Sequence, residues 1–491
     1  MPPTFEPEAP GETRPAAGRR ASPLRSIIAL PIGLIGVVVG GLLAWRSAMR
    51  SGLFDDVFWH RAAGVWMLDH HRVMTHDVFS YTVAGRPWTT PEWGYDVLLA
   101  ASVRLLGPVA FWLMSAGVAT LAVVAVAVLC RMVGAGWTWT GLLCVEAGAA
   151  VTLYLDDRPQ VVSYFLVALL FLLLALGHRR PRALVAVPFV FAVWANVHGS
   201  FLLGLTLLVL QVAAAHLPRR VERVAVVDPL PRRASVVVLL TSVLATFVNP
   251  FGPGVYRSAV GVTFNGTIRR LIAEWQSPEF HNPATMAVVV LPIAATVAYL
   301  AFSKGTLPAV ELIMASFLLV STLDASRFLP YFAIAWCALA ARCSPLPREE
   351  VRPNVLVWPL LGVLGLALLH GPWVPAGQPA PSVPVGAVAY LRSHPGRVFS
   401  TYLWNDYLDW KGIRVFVDGR TELYTGTPVL DQYLAIDGLT QDPDRILSRY
   451  RVDYVLWPTD SALSVYLGHD PAWRLIRRSR VSLVFRRVGT G

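Results

Sequence analysis

The sequence predicts an α-helical, multi-pass membrane protein of about eleven spans, with interfacial helices in its first outer loop and a small C-terminal α/β domain outside the bilayer. Three observations predict it. Hydrophobic residues make up 55% of the 491 and charged ones only 15%, against roughly 25% charged in ordinary globular domains. The apolar residues gather in runs near the length that a bilayer requires. The last part of the chain reads instead as water-soluble strands and helices.

Composition also excludes several classes. A mean hydropathy of +0.52 leaves too much apolar surface for a disordered or fibrous chain. The formal charge of +11 is almost wholly arginine, with Lys304 and Lys411 the lysines. It sits in short clusters between apolar runs, whereas a nucleic-acid binder gathers it on one face; no nucleic-acid partner is expected. Cys130, Cys144, Cys337 and Cys343 lie in or beside apolar runs, so no disulfide framework is implied.

Residues 1–25, rich in Pro, Glu, Ala and Gly, read as a disordered cytoplasmic tail. The membrane domain is expected over 26–371, with apolar runs at 27–45, 108–130, 137–155, 161–177, 183–195, 199–216, 234–250, 285–302, 307–323, 327–343 and 354–371. Arg19, Arg20 and Arg25 precede the first run, which reads as an uncleaved signal anchor. The run 183–195 is short and holds Pro188, so a kinked or partial span is expected there, joined to the next through Asn196, His198 and Gly199. Alternate loops carry the arginines: Arg131, then Arg179, Arg180 and Arg182, then Arg219 to Arg233, then Lys304, then Arg342, Arg348 and Arg352. The positive-inside rule makes those loops cytoplasmic. The opposite loops hold Asp55, Asp56, Asp156, Asp157, Asn196, Asn249, Glu274 and Asp324, with Arg269 and Arg270 as exceptions. A cytoplasmic N-terminus and an odd number of spans put the C-terminus outside. A Pro/Gly/Ala linker at 372–381 then leads to the domain 382–491, with strands at 397–403, 413–417, 453–457 and 481–486 and helices near 384–393, 428–437, 443–450 and 461–468.

The first outer loop, 46–107, is far longer than a turn between spans requires. Val57, Trp59, Ala62, Ala63, Trp66 and Met67 share one helical face over 57–69, and a second helix is expected at 92–106. Both suit the headgroup plane. Asp55 and Asp56 then sit where the first span ends, as reactive acids or as simply solvated ones. Arg158, in YLDDRPQ, offers a planar fork suited to a phosphate, or a salt bridge to Asp156 or Asp157 that orders the turn. Asn196 and His198 fall between two apolar runs, where polar residues face a wet cavity or serve the structure. Asn249, Glu274 and Arg327 each read equally as cap, loop residue or anchor. What unites these groups is side: all fall on the outer face. There is no phosphate loop, nucleophile elbow, HExxH or CxxC.

The stretch Asp56-Val57-Phe58-Trp59-His60 with Gly64, then Asp77 to Thr82, Gly85 to Trp88 and Glu92-Trp93 resembles the first outer loop of bacterial polytopic proteins of the GT-C glycosyltransferase superfamily. Arg158-Pro159-Gln160, Trp194 to Gly199, Asn249 to Gly252, Glu274-Trp275, and Asp418-Gly419-Arg420 with Glu422 and Tyr424 extend the resemblance over most of the chain. It implies a GT-C-like membrane domain whose loop carboxylate works on a lipid-linked sugar. That role transfers to Asp56, two residues before Phe58-Trp59, with Asp55 as its rival.

The function expected is transfer of a sugar from a polyprenyl-phosphate-linked donor to a glycan, lipid or protein acceptor, at the outer side of the bacterial plasma (inner) membrane. Asp56 is the expected general base. Arg158, with His198 or Arg327, is expected at the donor phosphate. His60, Asp77, Glu92, Gln160, Asn196, Asn249 and Glu274 are expected to contact substrate, and Asp418, Arg420 and Glu422 to act from the outer domain. No cofactor is expected; metal dependence stays open, since no ligand motif supports one. The rival reading is a lipid-linked-sugar transporter or a non-catalytic membrane protein. It has little need of a long acidic loop, and would carry ionisable groups in mid-span, where only Glu146 and Glu311 are found.

Overall fold

The computed structural model describes residues 30–218, 220–227, 230–346 and 354–489. The expected tail and Arg19, Arg20, Arg25, Arg219, Arg348 and Arg352 lie outside the described residues. Apolar helices fall on every expected run: Leu34–Ala48, Val109–Val133, Trp137–Leu153, Gln160–Arg179, Pro181–Val197, Phe201–Ala214, Arg232–Ala245, Pro283–Phe302, Ala309–Asp324, Leu329–Arg342 and Val357–Leu369. Among the described residues, three of them are long and apolar enough to cross a bilayer by length and composition: Val109–Val133, Gln160–Arg179 and Pro283–Phe302. Pro181–Val197 stops at His198, whose backbone is extended, and the chain resumes as helix at Phe201. The break puts Asn196 and His198 at helix ends.

Glycines set the tightest packing. A Cβ on Gly40 would lie 2.3 Å from the Cys144 carbonyl oxygen, and one on Gly148 would lie 2.4 Å from that of Gly40. Helices Leu34–Ala48 and Trp137–Leu153 therefore touch backbone to backbone. This seam fixes the end of the first helix, and so Asp55 and Asp56, beside the turn that carries Arg158.

Charges separate along the bundle. At the end assigned to the inside, Arg342 pairs with Glu311 at 2.5 Å and Arg223 caps the carbonyls of Leu300 and Ser303. At the other end Arg269, an exception to the arginine pattern, pairs with Asp324 at 2.8 Å.

The first outer loop forms helices Val57–His70 and Trp93–Leu106. They meet at Gly64, where a Cβ would lie 1.9 Å from the Asp96 carbonyl. The second helix turns Leu98, Leu105 and Leu106 outward, as an interfacial helix does. The first does not turn its tryptophan face to headgroups: Trp59, Ala63 and Met67 are buried with Phe399, Phe416 and Tyr424 of the C-terminal domain. That domain's own apolar face requires a cover, and this helix supplies it.

The C-terminal sheet runs in the order Val398–Ser400, Tyr454–Pro458, Ser482–Arg487, Trp473–Arg478. The first pair is parallel, with Phe399 opposite Val455, and the others are antiparallel. The segment 413–417 does not join this sheet. Val415 pairs instead with the first outer loop, its N–H donating to Phe79 and its carbonyl accepting from Tyr81. The strand expected at 397–403 ends at Ser400 and turns into helix Tyr402–Trp410. Strand Trp473–Arg478 is an addition, its arginines masking a mostly exposed edge. The linker is anchored by Leu53, whose N–H donates to Gln378 and whose carbonyl accepts from Ala380.

Candidate functional site

Segments more than a hundred residues apart meet at one guanidinium. Arg158, on the turn before helix Gln160–Arg179, is bonded to Asp55 through Nη2 and lies 2.5 Å from Glu274, 3.3 Å from Asp56 and 3.9 Å from Asp156. Asp55 has φ 60°, uncommon for a non-glycine residue. Asp56 is the N-cap of Val57–His70 but makes no side-chain cap bond, so its carboxylate is left for the cluster. Arg158, expected at a donor phosphate, is thus occupied by carboxylates. Burial works against its charge, yet Asp56, Glu274, Asp55 and Asp156 together hold it protonated.

A further acid comes from the outer domain. Asp406, on helix Tyr402–Trp410, is fully buried and accepts from the Gly419 N–H at 2.8 Å, while its Oδ2 has no partner. A Cβ on Gly419 would lie 2.5 Å from Asp56 Oδ1, 2.7 Å from Asp406 Oδ2 and 3.0 Å from Trp59 Nε1. Only glycine leaves room for these groups to converge. Burial, opposed by Arg158 and reinforced by Asp55 and Glu274, lifts the Asp56 carboxyl to about 7. Burial also raises Asp55, and raises Asp406 well above the usual range. Asp55, Asp56 and Asp406 offer oxygens within 4.8 Å of one another, an oxygen-only set of the kind that suits Mg²⁺ or Mn²⁺.

Next to the acids lies a second group. Arg327 donates to the Gln160 side-chain oxygen at 3.2 Å and sits 4.3 Å from the Trp275 ring. No described carboxylate pairs with it. His198 Nε2 is 3.8 Å from Glu92, and its Nδ1 contacts Ser163 and Ser200 at 2.8 and 2.7 Å. Burial pushes the His198 imidazole down to about 3, so it is neutral. Burial, with Glu422 and Asp56 nearby, pushes Glu92 up to about 8.

Other expected residues are spent on structure. His60 bonds to Asp96 at 2.7 Å, both buried. Arg420 is held by Asp418 at 2.5 Å and Asp77 at 2.6 Å, all three beyond the reach of solvent, and joins the loop to the outer domain. Glu422 accepts from Trp88 Nε1 at 3.0 Å. Asn196 accepts from Trp93 Nε1 at 2.8 Å and donates to Ala192 and Val248. Asn249 closes its own turn through Thr246 and Phe251.

A cavity of about 390 Å³ opens on the Asp55 side of the cluster. A larger one, about 670 Å³, lies toward the other end of the bundle between Trp139, Tyr299 and Trp336 and holds none of the clustered charges.

No protein-family model and no curated protein matches the sequence. Solved structures do resemble the fold. The oligosaccharyltransferase AglB of Archaeoglobus fulgidus, in complex with an inhibitory peptide and a dolichol-phosphate, aligns with a TM-score of 0.56 at 11% identity, over 87% of this chain and 69% of that one. ArnT of Cupriavidus metallidurans in its apo state aligns with a TM-score of 0.55 at 13% identity, over 92% and 97%. Its form bound to undecaprenyl phosphate aligns at 0.51 and 12%, over 93% and 98%. The chain has the fold of the GT-C glycosyltransferases, a helical membrane bundle with a small C-terminal sheet domain.

Proposed function

We propose that the protein is an integral-membrane glycosyltransferase that moves a sugar from a polyprenyl-phosphate-linked donor to an acceptor on the extracytoplasmic face of a bacterial plasma membrane, its helices crossing with the N-terminus inside. Two similar structures contain a lipid phosphate, dolichol-phosphate in AglB and undecaprenyl phosphate in ArnT. Such a donor keeps its prenyl chain in the bilayer while the phosphate reaches the surface, where the proposed topology puts the charged cluster.

The observation that carries the reading is the split of the site into an acid on a cavity wall, Asp55, and a guanidinium with no described carboxylate partner, Arg327. The two are linked through Arg158, Glu274 and Trp275. Asp55 accepts the proton of the acceptor hydroxyl as that oxygen attacks the anomeric carbon. The bond from that carbon to the phosphate oxygen breaks, and its electron pair stays on the departing polyprenyl phosphate. Arg327 meets the growing negative charge, while His198, being neutral, offers a hydrogen bond instead. Arg158 keeps the Asp55 carboxylate aligned and favours its charged form. The motif resemblance favours Asp56 as the base; we favour Asp55, which lines the cavity while Asp56 does not. Asp56 and Asp406 then set the charge around it.

The test is to incubate the purified protein with polyprenyl-phosphate-linked sugars and follow release of polyprenyl phosphate. Release supports the reading, and inertness toward every such donor refutes it.

A further inference from the structure

The cavity beside Asp55 is built from four separate stretches. Arg50 and Ser51 follow the first helix, Ser115 sits on the π-turn Leu113–Gly117, Asp156 to Arg158 form the turn after Trp137–Leu153, and Ser382 follows the linker. Its volume of about 390 Å³ falls in the roughly 300–1,000 Å³ span of small-molecule sites. Asp56 and Asp406 do not line it; Asp55 does.

Three lining side chains each carry a buried polar atom without a partner: Asp55 Oδ1, Asp157 Oδ1 and Arg50 Nε. Two accept and one donates. Those atoms are themselves enclosed, but the same wall presents the exposed Ser51, Asp156 and Ser382 and the half-buried Arg50, Asp55 and Asp157, a lining suited to a ligand that both donates and accepts hydrogen bonds. Burial also lifts the Asp157 carboxyl to about 7, against the pull of the Ser115 hydroxyl. The charge balance narrows the ligand further. Asp55, Asp156 and Asp157 face the cavity, while Arg158 is already held by carboxylates and Arg50 donates to the His370 carbonyl. A phosphate or carboxylate ligand would meet net negative charge. A hydrocarbon chain would leave every one of these polar groups unsatisfied.

We propose that this cavity is the acceptor subsite and that it takes a neutral polyhydroxylated ring, the pyranose or furanose of a glycan acceptor. This rests on the glycosyltransferase reading above and adds the acceptor's chemical class. The hydroxyl nearest the Asp55 carboxylate is the one that loses its proton, and its neighbours bond to Asp157 and Arg50. The donor phosphate is kept on the Arg327 side of the cluster, so the two substrates approach the acid from opposite directions.

The test uses the purified full-length protein in detergent and saturation-transfer NMR with a panel of methyl pyranosides and methyl furanosides, with inorganic phosphate as competitor. At least one glycoside binds with roughly millimolar affinity, and phosphate does not displace it. Asp157→Asn, nearly isosteric, weakens binding about tenfold by exchanging a carboxyl partner for an amide. Ser382→Trp, at an exposed position on the rim, blocks it and leaves the buried cluster untouched. Failure of every glycoside to bind, displacement by phosphate, or binding indifferent to both substitutions overturns the proposal. Polyprenyl phosphate release is measured alongside. Release without glycoside binding refutes the cavity assignment alone, and absence of release refutes the reading on which it rests.

Discussion

Asp406 of the outer domain and Asp56 of the first loop aim their carboxylates at one point, 2.7 and 2.5 Å from where a Cβ of Gly419 would stand. The outer domain is thereby part of the acid cluster and not only a cover over it. Gly419→Ala must push the two carboxylates apart. A stability loss of about 1–3 kcal/mol is expected from the overpacking, with a larger loss of sugar transfer. Thermal unfolding in detergent and a transfer assay measure both; unchanged transfer would show that the alignment of Asp56 and Asp406 does not matter.

Arg420 is expected to act on stability alone. It is buried with Asp418 and Asp77 as partners, and Arg420→Met leaves two carboxylates uncompensated. Breaking a buried pair costs about 3–5 kcal/mol, enough to detach the loop from the outer domain. Proteolysis near residues 77–88 should accelerate in this variant, and an unchanged rate would contradict the stapling role.

pH should act on stability and on rate in opposite directions. The Asp56 carboxyl rises from 3.8 to about 7 in the folded protein, so the folded state binds more protons than the unfolded one. Its contribution to stability is full below 3.8 and is lost as pH rises through about 7. Sugar transfer needs Asp55 ionised and should climb as pH rises; burial raises Asp55 too, and the two acids titrate as a pair. Asp56→Asn removes a like charge from beside Asp55 and should move the rate limb to lower pH. A limb unmoved by this change would uncouple the two acids.

Arg327→Ala should weaken binding of polyprenyl phosphate about tenfold or more, since charge-assisted bonds exceed neutral ones in strength. The acid cluster should survive, because Arg158 alone holds it. Equal binding by the variant and the parent protein would move the donor phosphate elsewhere.

The membrane bundle was legible because a bilayer imposes run length and arginine sidedness on the sequence itself. The same sidedness marked Asp55, Asp56, Arg158 and Glu274 for one face. It did not reveal that Arg158 is enclosed by acids, since Asp55 and Glu274 are 103 and 116 residues away in the chain. Asp406 was missed because the strand expected at 397–403 overlaps the start of helix Tyr402–Trp410 and no element was expected over 404–412. Aromatic residues on both sides of a buried acid pair were the available signal. The strand at 413–417 was misassigned to the sheet because pairing with residues 79–81 is a tertiary choice that alternation cannot encode.

The most direct measurement is single-turnover transfer from a polyprenyl-phosphate-linked sugar by Asp55→Asn and Asp56→Asn proteins, with polyprenyl phosphate binding measured in parallel. Asp55→Asn is expected to lose about 10²–10⁴-fold in rate while still binding the lipid phosphate, and Asp56→Asn to keep more activity with a displaced pH profile. Asp55→Asn protein that transfers sugar at the parent rate would contradict the account.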